Sequence, residues 1–273
     1  MPTTIANGIK QNYELLAPTN GDPNAPTIVC VHGMLIDSLA SYYFTMAKSL
    51  RDAGLRVLLY DLRAHGNSDR PETGYTVETL VDDLTALLDA LGLTGPVYLI
   101  GNSFGGTVAY GLAERHPQRV AGVAAIESEP VTAEWSEKMA ANLHRAASQL
   151  GRFEAIAWIT ARHGAHLARR AKRAKKMLDA TTLERDIPAS RVLTHEQFAA
   201  ISCPVLAIYG SESDLAVQAP LLERTMPRCT SVVLPGLEHS VLVEAPATVL
   251  DLLLGWIAEH RLDGVGSGAG AAA

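Results

Sequence analysis

Apolar residues along this chain fall into two alternating patterns. Short runs rich in Val, Ile and Leu predict strands that are buried on both faces, as at residues 27–32, 55–60 and 97–101. Longer stretches such as residues 77–91 have apolar residues every three to four positions, which predicts amphipathic helices. Strands that alternate with helices in this way indicate a parallel sheet covered by helices on both faces.

Two regions depart from this alternation. Residues 3–18 predict two short strands around Asn7-Gly8, a strong signal for a hairpin turn. Residues 131–200 contain no strand pattern, and their apolar residues recur at helical spacing. Because this segment precedes the last two predicted strands, we expect it to form a helical cap over the carboxyl edge of the sheet, where ligands bind.

These patterns divide the chain into three parts. Residues 1–130 and 201–262 are predicted to form an α/β core, and residues 131–200 the helical cap. Residues 263–273 are rich in Gly and Ala, and this low complexity predicts a disordered tail.

Composition narrows the class of protein. Of the 273 residues, 48% are hydrophobic and 19% are charged, which provides for a sizeable buried core. A net charge of −6 argues against general nucleic-acid binding. No apolar run approaches the ~20 residues of a membrane span, and the N-terminus lacks a secretion signal. With three cysteines in no metal-binding pattern, we expect a cytoplasmic protein that has no metal or cofactor and no membrane or nucleic-acid partner.

The strongest chemical signal is Gly101-Asn102-Ser103-Phe104-Gly105, a G-x-S-x-G motif directly after a predicted strand and directly before a predicted helix. This context is that of a nucleophile elbow, a strained turn that presents the serine hydroxyl at the edge of the sheet. Glycines flank the serine because tight strand–helix packing leaves no room for side chains. We therefore predict that Ser103 is a nucleophile.

Two further loops carry candidate partners of Ser103. His239 lies between the last predicted strand and the last helix, where a general base can reach the serine. The turn after His32 follows the first long strand and can direct the Met34 amide at the same site. The backbone N–H groups of Met34 and Phe104 are predicted to form an oxyanion hole, and His32 is interpreted as structural.

Two carboxylates are candidates for the acid of a serine–histidine–acid triad. Asp214 follows the penultimate predicted strand and gives the chain order Ser–Asp–His. Glu127 follows the strand ending at Ile126 and can reach the same histidine from the neighbouring strand end. Either carboxylate would hold the imidazole in one tautomer and stabilise the imidazolium.

These motifs together resemble the α/β-hydrolase superfamily. The resemblance implies an eight-stranded, mostly parallel sheet flanked by helices, with the hairpin at one edge and the helical cap inserted before the last two strands. Small bacterial esterases, lactonases and polyketide-tailoring hydrolases look most similar. The segments that carry the resemblance are HGM at 32–34, DLRAHGNSD at 61–69, GNSFGG at 101–106, and the loops of Asp214 and His239.

The resemblance also bears on the acid and on the nucleophile. The family's acid usually lies three residues after the strand-end glycine, here Gly210, but this chain has Ser213 there and Asp214 one residue later. Some members, including cofactor-free dioxygenases, take the acid from the earlier strand, which corresponds to Glu127. We favour Asp214, with Glu127 as the alternative. The serine of the elbow disfavours epoxide hydrolases and haloalkane dehalogenases, which need a carboxylate nucleophile.

The function predicted in this way is hydrolysis of a carboxylic ester, lactone or thioester of a small organic or natural-product intermediate through an acyl-enzyme. The alternative is a cofactor-free lyase that uses the same site, for example to eliminate acetate from an O-acetylated polyketide-type intermediate in antibiotic biosynthesis. A receptor without activity on this fold is a third class, which an intact triad disfavours.

The predicted cap is basic, with twelve Lys and Arg against seven Asp and Glu in residues 131–200. The basic residues concentrate in residues 167–178, around an apolar stripe that includes Ala171 and Ala174. One interpretation is a helix with a solvated outer face. The other is a docking face for an anionic substrate or an acidic carrier protein.

Overall fold

The computed structural model describes residues 1–261, except for the side chain of His163. The predicted tail at residues 263–273 lies outside these residues. Within the described part of the chain, eight strands form one sheet. The strands are β1 (Thr3–Ala6), β2 (Ile9–Leu16), β3 (Thr27–Val31), β4 (Arg56–Tyr60), β5 (Val97–Asn102), β6 (Val120–Ile126), β7 (Val205–Gly210) and β8 (Cys229–Leu234).

The strand order in the sheet is β1-β2-β4-β3-β5-β6-β7-β8. β1 is antiparallel to β2 and β2 to β4, whereas the other neighbouring pairs are parallel. The hairpin turns at Asn7 and Gly8, whose φ values of 49° and 75° match the tight turn that an Asn-Gly pair favours. The predicted eight-stranded, mostly parallel sheet with a hairpin at one edge is therefore confirmed.

Helices cover both faces of this sheet. Consecutive strand residues point to opposite faces, so Ile28 packs in one hydrophobic cluster with the helical residues 40–52 and 246–260, and Val29 packs in the other with the helices at 77–90 and 104–115. Within residues 1–261, no helix is long and apolar enough to cross a bilayer. The helices are α1 (Ala40–Thr45), α2 (Ala47–Asp52), α3 (Val77–Ala90), α4 (Phe104–Arg115), α5 (Ala133–Gln149), α6 (Phe153–Ala180), α7 (Leu183–Asp186), α8 (His195–Ala199), α9 (Gln218–Thr225), α10 (Val241–Glu244) and α11 (Pro246–His260).

Four of these helices, α5 to α8, stand between β6 and β7 in the chain. α5 begins after Thr132, whose side chain accepts a hydrogen bond from the Trp135 amide and so caps the helix. α6 is interrupted at Gly164, where φ is 84° and ψ is 165°, values that a helix does not contain. α6 therefore changes direction at Gly164.

Candidate active site

β5 leads into a sharply bent elbow at Ser103. The residue has φ 51° and ψ −122°, and α4 begins at the next residue, Phe104. A backbone of this kind stores strain of roughly 1–3 kcal/mol and persists because its surroundings hold it. A Cβ at Gly105 would lie 2.0 Å from the carbonyl oxygen of Val31, so a glycine is required where α4 packs on the sheet. The bend leaves the serine side chain at the end of the strand.

The register of the parallel strands brings a carboxylate to the elbow. Asn102 of β5 pairs with Ile126 of β6, and the Ser103 amide donates to the Ile126 carbonyl over 2.8 Å. Glu127 is the next residue after Ile126. Ser103 and Glu127 are therefore the first residues after two adjacent strands that end in register. The Glu127 side chain is fully buried. Its position beside the elbow follows from the pairing of β5 with β6.

His239 joins these two residues. It lies in the loop between β8 and α10, and its side chain is 51% exposed. Its Nε2 lies 3.1 Å from the Ser103 Oγ, and its Nδ1 lies 3.1 Å from the Glu127 Oε2. A proton on Nδ1 donates to the carboxylate and leaves the Nε2 lone pair free to accept the serine proton. Serine, imidazole and carboxylate therefore form one continuous chain of hydrogen bonds.

Asp214, the acid favoured from the sequence, is not the partner of His239. It begins the short 3₁₀ turn Asp214–Val217, and its exposed side chain lines the site pocket without a hydrogen bond to the imidazole, whose nitrogens bond to Ser103 and Glu127. The reason is the strand register, since Glu127 follows β6 directly whereas Asp214 comes four residues after the end of β7. The carboxylate hydrogen-bonded to His239 in the structure is therefore that of the alternative candidate, Glu127.

Ser213 occupies the place of the family's usual acid. Its hydroxyl donates to the Glu127 Oε2 over 2.6 Å, and the Gly210 amide donates to the Oε1. Together with the Nδ1 of His239, three donors surround the buried carboxylate, which offsets the cost of burying its charge. Sequence reasoning identified Ser213 only as a departure from the family pattern. Its pairing with Glu127 spans 86 residues and has no local signal.

The two predicted oxyanion-hole residues lie beside Ser103. Met34 and Phe104 line the same pocket as the serine. Phe104 is the first residue of α4, where an amide has no acceptor within the helix. Among residues 1–261, neither of the two amides donates to a protein acceptor. Two unpaired N–H groups next to a serine hydroxyl are what an oxyanion hole requires.

The loop after β3, which carries Met34, is held by polar contacts. The Gly33 amide donates to the Asp37 Oδ2 over 2.8 Å, and the Leu35 amide donates to the His65 Nε2 over 2.9 Å. Burial lowers the pKa of His65 to about 3, so its ring stays neutral and Nε2 remains an acceptor. His32 uses both ring nitrogens on backbone groups, in agreement with its interpretation as structural. These contacts hold the residues on either side of Met34.

The pocket in front of Ser103, here the site pocket, encloses about 220 Å³. α5 of the predicted cap forms one of its walls, where the Trp135 ring stacks on Phe104 with centroids 6.4 Å apart. The wall also carries Lys138, which forms an ion pair with Glu129 in the pocket. The site pocket therefore combines an apolar surface with a pair of opposite charges.

Known proteins resemble the chain in sequence and in fold. Residues 26–246 match the family model of the α/β hydrolase fold. The 2-(acetamidomethylene)succinate hydrolase of Mesorhizobium japonicum is 29% identical over 259 residues, which are 86% of this chain and 88% of that protein. Epoxide hydrolase A of Mycobacterium tuberculosis is 37% identical over 108 residues, 39% of this chain, and the chain spans only 33% of its length.

The chain is also similar in fold to proteins of known structure. A thermophilic esterase from Thermogutta terrifontis matches with a TM-score of 0.74 at 25% identity, covering 94% of this chain and 97% of the esterase. The names of these proteins, two hydrolases and an esterase, support an enzyme of the hydrolase class.

Proposed function

Because the chain belongs to the α/β hydrolase fold family, we propose that it is a serine hydrolase that cleaves a carboxylic ester through an acyl-enzyme. Ser103 is the nucleophile, His239 the general base and Glu127 the acid. The observation that carries this proposal is the pair of 3.1 Å contacts that link the Ser103 Oγ through both nitrogens of His239 to the buried Glu127 carboxylate. That geometry suits proton transfer from the hydroxyl to the imidazole.

Acylation uses all three side chains. The Ser103 Oγ attacks the carbonyl carbon while the Nε2 of His239 takes the hydroxyl proton. Glu127 stabilises the imidazolium that forms and holds the Nδ1–H tautomer. The imidazolium then gives its proton to the leaving alcohol, and the acyl group remains on Ser103. In deacylation, His239 takes a proton from water as its oxygen attacks the acyl carbon. The imidazolium then returns that proton to the Ser103 Oγ as the bond from Oγ to the acyl carbon breaks, which releases the acid and restores the serine hydroxyl.

Negative charge develops on the carbonyl oxygen during each attack. The amides of Met34 and Phe104 are the donors proposed for it, because both line the site pocket and neither has a protein acceptor among the described residues. Loss of one such donor costs about 3 kcal/mol of transition-state stabilisation in a well-studied serine protease. Because the backbone already holds both amides in place, they can stabilise the negative charge without rearrangement of the protein.

The site pocket limits the substrate. Its volume of about 220 Å³ lies below the roughly 300–1,000 Å³ of pockets for drug-sized ligands, which supports a substrate with a small acyl group. The Lys138–Glu129 pair in its wall favours an acyl group with a polar substituent. Lactones and thioesters present the same carbonyl chemistry and belong to the proposed class. Epoxide opening does not, because Ser103 is no carboxylate.

Active-site labelling tests the nucleophile. A fluorophosphonate probe should add its phosphonyl group to the wild-type chain, and peptide mapping should place it on Ser103. The matched control is Ser103→Ala, which should stay unlabelled at the same protein and probe concentrations. Labelling of the alanine variant, or a wild-type chain that never reacts, would refute a nucleophilic Ser103.

Isotope labelling tests hydrolysis against the lyase alternative. Turnover of an ester or of an O-acetylated substrate in heavy-oxygen water should place one solvent oxygen in the released acid, because water cleaves the acyl-enzyme. An elimination breaks the bond between carbon and the acetate oxygen, so its acetate carries no solvent oxygen. Unlabelled acetate together with an unsaturated product would replace the hydrolase proposal with the lyase.

A further inference from the structure

A second concave site lies next to the loop after β3. It encloses about 380 Å³ and shares no lining residue with the site pocket. Leu35 and Ile36, which follow Met34 directly, form part of it, and the opposite wall is the second half of α6. A volume above 300 Å³ is sufficient for a small organic molecule.

Three arginines line this site, here called the arginine groove. Arg70 comes from the loop after β4, and Arg170 and Arg173 come from α6. Arg170 is held in place, because its Nε donates to the Ile36 carbonyl and its Nη2 lies 3.7 Å from the Asp37 Oδ1. The two arginines of α6 are three positions apart and therefore share one face of the helix.

The positive charge of the arginine groove is not neutralised by its lining. Asp37 is the one carboxylate there among the described residues, and its oxygens already accept from two backbone amides and from the Ser41 hydroxyl. Within residues 1–261, neither Arg70 nor Arg173 contacts a carboxylate; Arg70 donates to the Ala64 carbonyl over 3.4 Å. Two guanidinium groups thus remain free to bind an anion.

The arginine groove also has an apolar part. Phe44 and Ile36 line it, and their side chains are 82% and 40% exposed. Ala171 and Ala174, on a neighbouring face of α6, are buried, so packing fixes which face of the helix is turned to the groove. Exposed apolar side chains beside unpaired arginines suit a ligand that has both an apolar body and an anionic group.

We propose that the arginine groove binds an organic anion, a carboxylate or a phosphate monoester with a small apolar body. Guanidinium groups bind both kinds of anion through paired N–H donors, and Phe44 would contact the apolar body. The assignment rests on the groove alone and holds whether or not Ser103 is a nucleophile. Such a ligand would lie against Leu35 and Ile36, directly beyond the residue whose amide faces the reacting carbonyl in the proposed mechanism.

Calorimetric titration tests the proposal without turnover. The chain carrying Ser103→Ala is titrated with phenyl phosphate, benzoate and the uncharged benzamide. At least one of the two anions should bind and benzamide should not; binding by both indicates a general organic-anion site, and binding by phenyl phosphate alone a phosphate site. Equal binding of benzamide, or no binding by either anion at millimolar concentration, overturns the proposal.

Substitutions then locate the bound anion. Arg173→Gln and Arg70→Gln should each weaken the binding of the anionic probe about tenfold, because each removes a charge-assisted hydrogen-bond donor. Arg169→Gln is the matched control, an exposed neighbour on α6 outside the groove, and should change the dissociation constant less than about twofold. Lys138→Gln, which alters the site pocket, should have an equally small effect. A loss with Lys138→Gln alone, or an equal loss with Arg169→Gln, overturns the assignment.

The apolar contact has its own measurement. Phe44→Ala should weaken phenyl phosphate several-fold and leave inorganic phosphate unchanged, because only the phenyl group contacts the ring. The expected loss is about fivefold for the burial of part of one aromatic ring. Equal loss for both probes would contradict a site in which Phe44 contacts the ligand body.

Discussion

The polar groups at the strand ends of the site have hydrogen-bond partners within the protein, whereas several on helix α6 have none within residues 1–261. At the ends of β5 and β6, the Glu127 carboxylate is fully buried and accepts from three donors, one of them His239. On α6, Arg173 is exposed and contacts no carboxylate among the described residues, and Phe153 is 81% exposed. The carboxylate at the strand ends is therefore fully hydrogen-bonded within the protein. Helix α6 carries a charged and an apolar side chain that face solvent.

In the proposed function, this difference separates catalysis from the recognition of a substrate or ligand. Bond-breaking requires side chains held to a fraction of an ångström, which the register of the parallel strands and the packed glycines of the elbow supply. Recognition of a substrate or ligand requires surface that is free to bind, and we propose that α5 and α6 supply it. Substitutions at the strand ends should therefore change catalysis greatly, whereas substitutions on the outer face of α6 should leave the chemistry almost untouched.

The largest expected effect is at the elbow. Ser103→Ala should lower kcat for ester hydrolysis about 10⁶-fold, the loss caused by the same change in a serine protease. The melting temperature should not fall, because only a hydroxyl is removed. Steady-state kinetics with a p-nitrophenyl ester and thermal unfolding measure both quantities. Residual turnover within tenfold of the parent would show that the strand ends do not carry the chemistry.

The next effect distinguishes the two carboxylates. Glu127→Gln should lower kcat about 10⁴-fold, because the amide can donate to Nδ1 and stabilise the wrong tautomer of His239. Asp214→Asn is the matched control, an acid-to-amide change in the same pocket, and should cost less than about threefold. The reverse ranking would restore Asp214 as the acid, and two mild effects would refute a carboxylate that orients His239.

Ser213 should show an intermediate effect as a positioning residue for Glu127. Ser213→Ala removes one hydrogen bond to a buried charge, worth about 1.5–3 kcal/mol, so kcat should fall about 10- to 100-fold with little change in KM. Ser213→Thr keeps the hydroxyl and should recover most of the activity. If the threonine variant is as slow as the alanine variant, the hydroxyl does not act through Glu127.

Much of the fold could be predicted from the sequence because its signals are local. The Asn7-Gly8 turn, the unbroken apolar strands and the elbow at Ser103 each depend on a few consecutive residues. Breaks within helical stretches have weaker local signals. Residues 40–52 are helical except at Met46, whose φ is −137° and which separates α1 from α2. Ala245 separates α10 from α11 in the same way, and the proline that follows it disfavours helical backbone there.

The acid could not be chosen from the sequence because the choice depends on contacts between distant residues. Glu127 and Asp214 both follow predicted strands. The pairing of Asn102 with Ile126 places Glu127 next to Ser103, and its contact with His239 spans 112 residues of sequence. The arginine groove was missed for the same reason, since Arg70 meets α6 only through tertiary packing. The basic character of residues 167–178 was visible, but which arginines converge was not.

The smallest expected effect concerns the outer face of α6. The triple variant Arg169→Gln, Lys172→Gln and Lys176→Gln removes three exposed charges outside the arginine groove. For a small neutral ester, kcat/KM should stay within about twofold of the parent at both 0.01 M and 0.1 M salt, because exposed charges are worth little and are screened over ~10 Å at 0.1 M. The matched control is Lys48→Gln, which removes an exposed charge from α2.

The same variant tests whether an acidic carrier protein docks on α6. A carrier-bound ester would then lose kcat/KM in the triple variant, and more at 0.01 M salt than at 0.1 M, because the field of several clustered charges steers association. Equal, salt-independent rates on free and carrier-bound esters would leave α6 with a solvated outer face and confine recognition to the arginine groove and the site pocket. A large loss on the neutral ester would instead contradict the comparison, because the chemistry at Ser103 would then depend on exposed charges on the outer face of α6.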